Sequence, residues 1–211
     1  MDFVFPPETE KFLRNFFRGA TYDARRLADD AVTMFKTGAY PTAQFLAMTS
    51  MEGVARTMKL RTPFVMPQCE AELEEALKTM AEILERFEDR RFTALEIASY
   101  VPAYNAWEMS VDSISRVTER WGADVLTEKR LACLQADIRP EAHIAQFPDE
   151  VVSRGEAYHF ICTAYLLLAE YADKALNPFP MVSEKPEHVS EAFDFWESVE
   201  AAKSAFMDEF A

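Results

Sequence analysis

Glycine is scarce in this chain, with five residues among 211. A β-rich protein of that length needs more glycine in its turns, so the shortage excludes a sandwich or barrel and favours long helices. Cysteine is as sparse. Cys69, Cys133 and Cys162 are odd in number, far apart and without a Cys-x-x-Cys spacing, which excludes a disulfide framework and a zinc site. Long hydrophobic runs are missing too. The longest, Phe160 to Ala169, is broken by Thr163 and reaches about half of the roughly 20 residues that cross a bilayer. Met1 to Glu10 has no basic stretch followed by an apolar one, so no signal peptide is expected and the predicted location is the cytoplasm. Positive charge is the last shortage: 22 Lys and Arg face 36 Asp and Glu, for a net charge of -14. Such a chain repels phosphate backbones at long range. The basic residues are scattered, with pairs at Arg25-Arg26 and Arg90-Arg91. No DNA partner is expected, and RNA only at a discrete site.

What is present is apolar periodicity of the helical kind. Thr9 to Thr37 reads as one long helix with Phe12, Phe16, Ala20, Asp23, Leu27, Ala31 and Phe35 on its inward face. Gly38 is placed to end it, and Pro41 sits in the first turn of a second helix running to about Leu60. So short a link predicts antiparallel packing. The second helix is apolar on two faces, Ala43, Ala47, Val54 and Met58 on one and Phe45, Met48 and Ala55 on the other. It is therefore either central or shared with a partner subunit, and a homodimer is expected.

Pro63 and Pro67 mark a loop; helices then follow over about Cys69–Phe92, with Leu73, Leu77, Met80, Leu84 and Phe87 inward, and about Thr93–Trp121, kinked near Pro102. The stretch 123–148 is the least periodic, a short helix to about Leu134 and then irregular chain. A helix from Asp149 or Ser153 to Leu176 is stopped by Asn177-Pro178-Phe179-Pro180. A last helix, Glu187 to Phe210, carries Val189, Phe193, Trp196, Val199 and Phe206. The fold class is all-α: one antiparallel bundle over 1–176, then a linker and an additional helix over 177–211 packed on the bundle or on a partner.

The densest pattern is Gly38-Ala39-Tyr40-Pro41-Thr42-Ala43, followed by Leu46-Ala47 and by Glu52 and Arg56. The last two are four apart in the acid-first order that suits an ion pair on one helix face, as a structural or a functional pair. This run resembles the AbiV abortive-infection family, a branch of the HEPN superfamily. The signature there is a helix rich in Ala, Leu and Asp, then Gly-x-Tyr-x-x-Ala and an acidic-basic helix of Glu-Glu-x-x-Lys type. Ala24, Leu27, Asp29, Asp30 and Ala31 precede Gly38, Tyr40 and Ala43 in that order. The chain departs in having Gly53 for the second glutamate, Arg56 for the lysine, and no histidine before His143.

The resemblance implies a HEPN-like bundle that dimerises and acts in phage defence, by binding a phage or host protein or by cutting RNA without a metal or other cofactor. HEPN nucleases carry an Arg-x(4–6)-His motif, and Arg154-Gly155-Glu156-Ala157-Tyr158-His159 matches it. The chemistry is coherent, since a histidine deprotonates the ribose 2′-hydroxyl and an arginine stabilises charge on the phosphate. Ser153-x-x-Glu156 is a capping-box pattern that puts Arg154 at the first helical position, where anions bind well. Arg154 and His159 nevertheless lie about 140° apart around a regular helix. The blander alternative makes His159 a hydrogen-bonded rim residue and the protein a non-catalytic helical dimer that binds or scaffolds outside phage defence. Glu156-x-x-His159 also has the spacing of one half of a di-iron site, but no second Glu-x-x-His exists and no metal is expected.

Overall fold

The computed structural model describes residues 4–65, 67–86, 123–134, 137–139, 144–176 and 186–210. The helices, numbered in chain order among these residues, are α1 (Pro7–Lys36), α2 (Tyr40–Arg61), α3 (Glu70–Arg86), α4 (Ala123–Leu134), α5 (Pro148–Val151), α6 (Arg154–Leu176) and α7 (Pro186–Phe210). The expected helix over Thr93–Trp121 lies outside the described residues. A short ribbon joins α4 to α5: Asp137–Arg139 pairs antiparallel with Ile144–Gln146, where the sequence reads only as irregular chain. Among the described residues the fold is all-α with this one ornament.

Local chemistry fixes the α1–α2 hairpin. Gly38 adopts φ 83°, the left-handed conformation that closes a helix end without a Cβ penalty. The Ala39 amide donates to the Met34 carbonyl at 3.1 Å and the Gly38 amide to Phe35 at 3.0 Å, which satisfies two carbonyls left over at the end of α1.

The inward face of α1 is one residue off the expected stripe up to Ala28 and meets it at Ala31 and Phe35. Leu13, Phe17, Thr21, Ala24, Ala28, Ala31 and Phe35 are buried, whereas Phe12 is 56% exposed and Asp23 lies on the surface. At Ala24 a small residue lets α2 approach closely. The Ser50 hydroxyl donates to the Ala24 carbonyl at 2.7 Å, and a Cβ on Gly53 would stand 3.2 Å from the Ala24 Cβ. This contact explains why Gly53 replaces the glutamate of the signature. Gly53→Leu is expected to destabilise by about 1–3 kcal/mol through overpacking, more than helix propensity returns, as read from the urea midpoint.

The two apolar faces of α2 are both used inside one chain. It packs against α1, α6, α4 and α3, and twelve of its side chains are buried. The reason the sequence offers for a partner subunit on α2 is thereby met by the bundle itself. The main core joins α1, α2, α6 and α7; a second cluster gathers Phe5, Leu13, Phe17, Leu60 and Phe64 under Leu73, Ala76, Met80 and Ile83 of α3. Leu84, expected inward, is exposed.

Helix α7 lies beside α1 in the same direction. Arg18 pairs with Glu191, Arg25 donates to the Ser198 carbonyl at 3.3 Å, and Lys36 pairs with Glu209 at 2.7 Å. Its inner stripe is Ala192, Phe195, Val199 and Phe206. Val189, Phe193 and Trp196, expected on the same inward stripe, face outward instead, because Phe195 takes the place against Tyr22, with ring centres 5.1 Å apart.

Candidate functional site

The first turns of α6 collect most of the chemistry. Ser153 caps the helix as its spacing predicts: the Glu156 amide donates to Ser153 Oγ at 3.2 Å, and the Ser153 amide donates to the Glu156 carboxylate at 3.4 Å. Arg154 is consequently the first helical residue.

Its side chain turns toward the far ends of α1 and α7. The guanidinium lies over the Phe35 ring at 5.8 Å, and Nη2 donates to the Phe210 carbonyl at 3.3 Å. Phe35 is the hub of an aromatic cluster, with ring centres of Tyr40, Phe206 and Phe210 within 5.2 to 5.3 Å and Tyr158 at 6.4 Å. Two signature residues therefore have structural work here: Gly38 makes the turn and Tyr40 walls the cluster, while Ala43 is fully buried. Asp29, a third, accepts from the buried Tyr165 hydroxyl at 2.6 Å and from Arg25 Nε at 2.9 Å. Burial, then the hydrogen bond and charge of Asp29, push the Tyr165 phenol well above its ordinary value.

Glu156 and His159 are one turn apart on α6. Lys129 of α4 pairs with Glu156, and its neighbour Arg130 pairs with Glu52 of α2 and stacks over Phe45 at 5.2 Å. Arg130 thus reaches Glu52 from a helix 78 residues away. Lys129-Arg130 is a basic pair as visible in the sequence as Arg25-Arg26. Its destination was hidden, since α4 shows no apolar periodicity to say which way it faces. Cys133, on the next turn of α4, is a buried thiol pushed up to about 12, by burial first, and so stays protonated.

His159 is half-buried, with its Nε2 inside the protein, and its carbonyl accepts from the Thr163 hydroxyl at 2.9 Å. The site as folded is a helix start flanked by Arg154 on one side and by Lys129, Glu156 and His159 on the other. Among the described residues no group of His, Cys, Asp and Glu is arranged to hold a metal ion, and no helix is long and apolar enough to cross a membrane.

Glu156 makes α4 sensitive to acid. Partial burial raises its pKa, but the hydrogen bond and charge of Lys129 and the hydrogen bonds with Ser153 outweigh this and hold it below the ordinary value. Its stabilising contribution is present above the unfolded value of 4.5 and is lost as the pH falls through the lowered one. Amide exchange in α4 is expected to speed up there, and Lys129→Met to weaken that acid dependence, leaving the part due to Ser153.

The helical bundle with its Gly-x-Tyr hairpin is consistent with a HEPN-type fold. A family model described as AbiV matches residues 12–169, well over half of the chain. The chain belongs to the AbiV family, and its function is of the abortive-infection, HEPN type. No curated protein and no solved structure matched it.

Proposed function

We propose that the protein defends against phage by cutting RNA at the start of α6. The observation that carries this reading is the Ser153–Glu156 cap, which sets Arg154 at a helix N-terminus in a chain otherwise hostile to phosphate. His159 takes the proton of a ribose 2′-hydroxyl, whose oxygen attacks the adjacent phosphorus. The P–O5′ bond breaks, the 5′-oxygen takes a proton from solvent, and a 2′,3′-cyclic phosphate remains. The Arg154 side chain and the backbone amides of Arg154 and Gly155, ahead of the Glu156 amide that Ser153 takes, stabilise the charge on the phosphate. Because the two side chains leave α6 about 140° apart, a complete site takes Arg154 and His159 from different copies of the chain, and the homodimer is part of this proposal.

The test is incubation of purified protein with total cellular RNA in EDTA, beside Arg154→Ala and His159→Ala. Cleavage by the wild type alone supports the reading. Equal cleavage by all three overturns it. Sedimentation checks the dimer, and a monomer at every concentration contradicts it.

A second reading, defence by binding a protein, is favoured by the outer face of α7. Phe193 and Trp196 stand 55% and 43% exposed, with ring centres 5.9 Å apart, and Val189 continues the stripe. Asp194 and Glu197 beside them suit a groove with a basic rim. Under this reading Trp196→Asp abolishes protection and His159→Ala leaves it intact.

A further inference from the structure

The AbiV match ends at residue 169, and α7 lies beyond it. Yet the last turn of α7 holds the one arginine of the Arg-x4-His motif. The Phe210 carbonyl takes a hydrogen bond from Arg154, while the Phe210 ring packs on Phe35 and Phe206 at 5.2 and 5.3 Å. Lys36 fastens the same turn twice, by its ion pair with Glu209 and by lying over the Phe210 ring at 5.6 Å. The Arg154 guanidinium is therefore stacked on one face and hydrogen-bonded at one edge while the residue stays exposed, so the end of α7 engages the guanidinium without burying it.

We propose that the end of α7 is an autoinhibitory clasp that keeps Arg154 from RNA phosphate until the clasp is released. This rests on the RNA-cutting reading above. The fastening suits a switch. Deep anchorage of α7 comes from Ala192, Phe195, Val199 and Phe206, all buried, so the helix stays docked. Its final turn is held by an ion pair whose two side chains are about half exposed and by a partly exposed ring, and such contacts open locally without global unfolding. A phosphate is also a better partner for Arg154 than a neutral carbonyl, because charge-assisted, two-pronged hydrogen bonds replace a single ordinary one. RNA and the carbonyl then compete for one guanidinium, and opening the clasp raises the fraction of chains able to cut.

The experiment compares the wild type with Glu209→Lys/Phe210→Ala, which sets two lysines against each other and removes the ring while leaving Val199 and Phe206 in place. Two readouts are taken on full-length protein of unchanged circular dichroism: cleavage of total cellular RNA in EDTA, and the rate at which phenylglyoxal modifies Arg154, followed by mass spectrometry. The double variant is expected to cut RNA, and to react at Arg154, about tenfold faster than the wild type. Adding Lys36→Glu re-forms the ion pair with reversed charges and returns both rates toward wild type. Adding His159→Ala instead abolishes cutting but leaves the fast modification of Arg154. Equal cutting by wild type and double variant overturns the clasp and leaves the nuclease reading standing. No cutting by either, with Arg154 freed in the variant, overturns the nuclease reading and the regulation built on it. Where the double variant fails to fold, Lys36→Glu alone, at a half-exposed position, carries the same comparison.

Discussion

Phe35→Ala is expected to cost about 3–5 kcal/mol of folding stability, the range for emptying a well-packed aromatic site. Phe35 is 3% exposed, and four rings from three other helices meet on it: Tyr40, Tyr158, Phe206 and Phe210. Removing it opens a cavity that these rings fill only by shifting the start of α2, the start of α6 and the end of α7 together. Each of those movements breaks other contacts, so collapse is costly. The measurement is urea unfolding, where a lower midpoint at unchanged slope marks lost stability. Phe35→Leu keeps most of the volume and is expected to lose less. A loss below about 1 kcal/mol for the alanine variant contradicts the view that this cluster joins four helices.

His159→Ala is expected to lower RNA cleavage by about 10²–10⁴-fold, the usual share of a general base. The hydrogen bond given by Thr163 goes to the main-chain carbonyl of residue 159, which alanine retains, so that contact survives the substitution. Effects on cleavage and on folding separate in one experiment, with cleavage measured beside the melting temperature. An equal fall in cleavage and in folded fraction would assign His159 a structural role only.

The helical class, the hairpin turn at Gly38 and the cap at Ser153 were legible because each is local. A glycine after an apolar stripe and a serine three residues before a glutamate encode their own geometry. Which face points inward was less legible. On α1 and α7 two apolar stripes run side by side, and the larger side chains, Phe12 on one and Phe193 with Trp196 on the other, attract the reading. The bundle buries the neighbouring stripe instead, and on α1 Ala24 permits the approach of Gly53 and Ser50. Burial on α2 shows the converse. An all-round apolar helix is central, and no second chain was needed to account for it.

Long-range partners were the least legible. The spacing offers Glu52 a partner four residues ahead, at Arg56, and gives no sign that Arg130 reaches it from α4. Arg154 looks ahead to His159, yet it lies against Phe35 and the end of α7. Helical spacing names neighbours on one helix, whereas ion pairs between helices depend on packing that no short motif encodes.

The most direct test of the central claim is made in infected cells. Cells carrying the wild-type gene or His159→Ala are infected with phage, and new 5′-hydroxyl RNA ends are mapped alongside plaque counts. Defence by RNA cutting predicts new ends and fewer plaques with the wild type, and neither with His159→Ala. Undiminished protection by His159→Ala, without new RNA ends, contradicts it and assigns the defence to a bound protein.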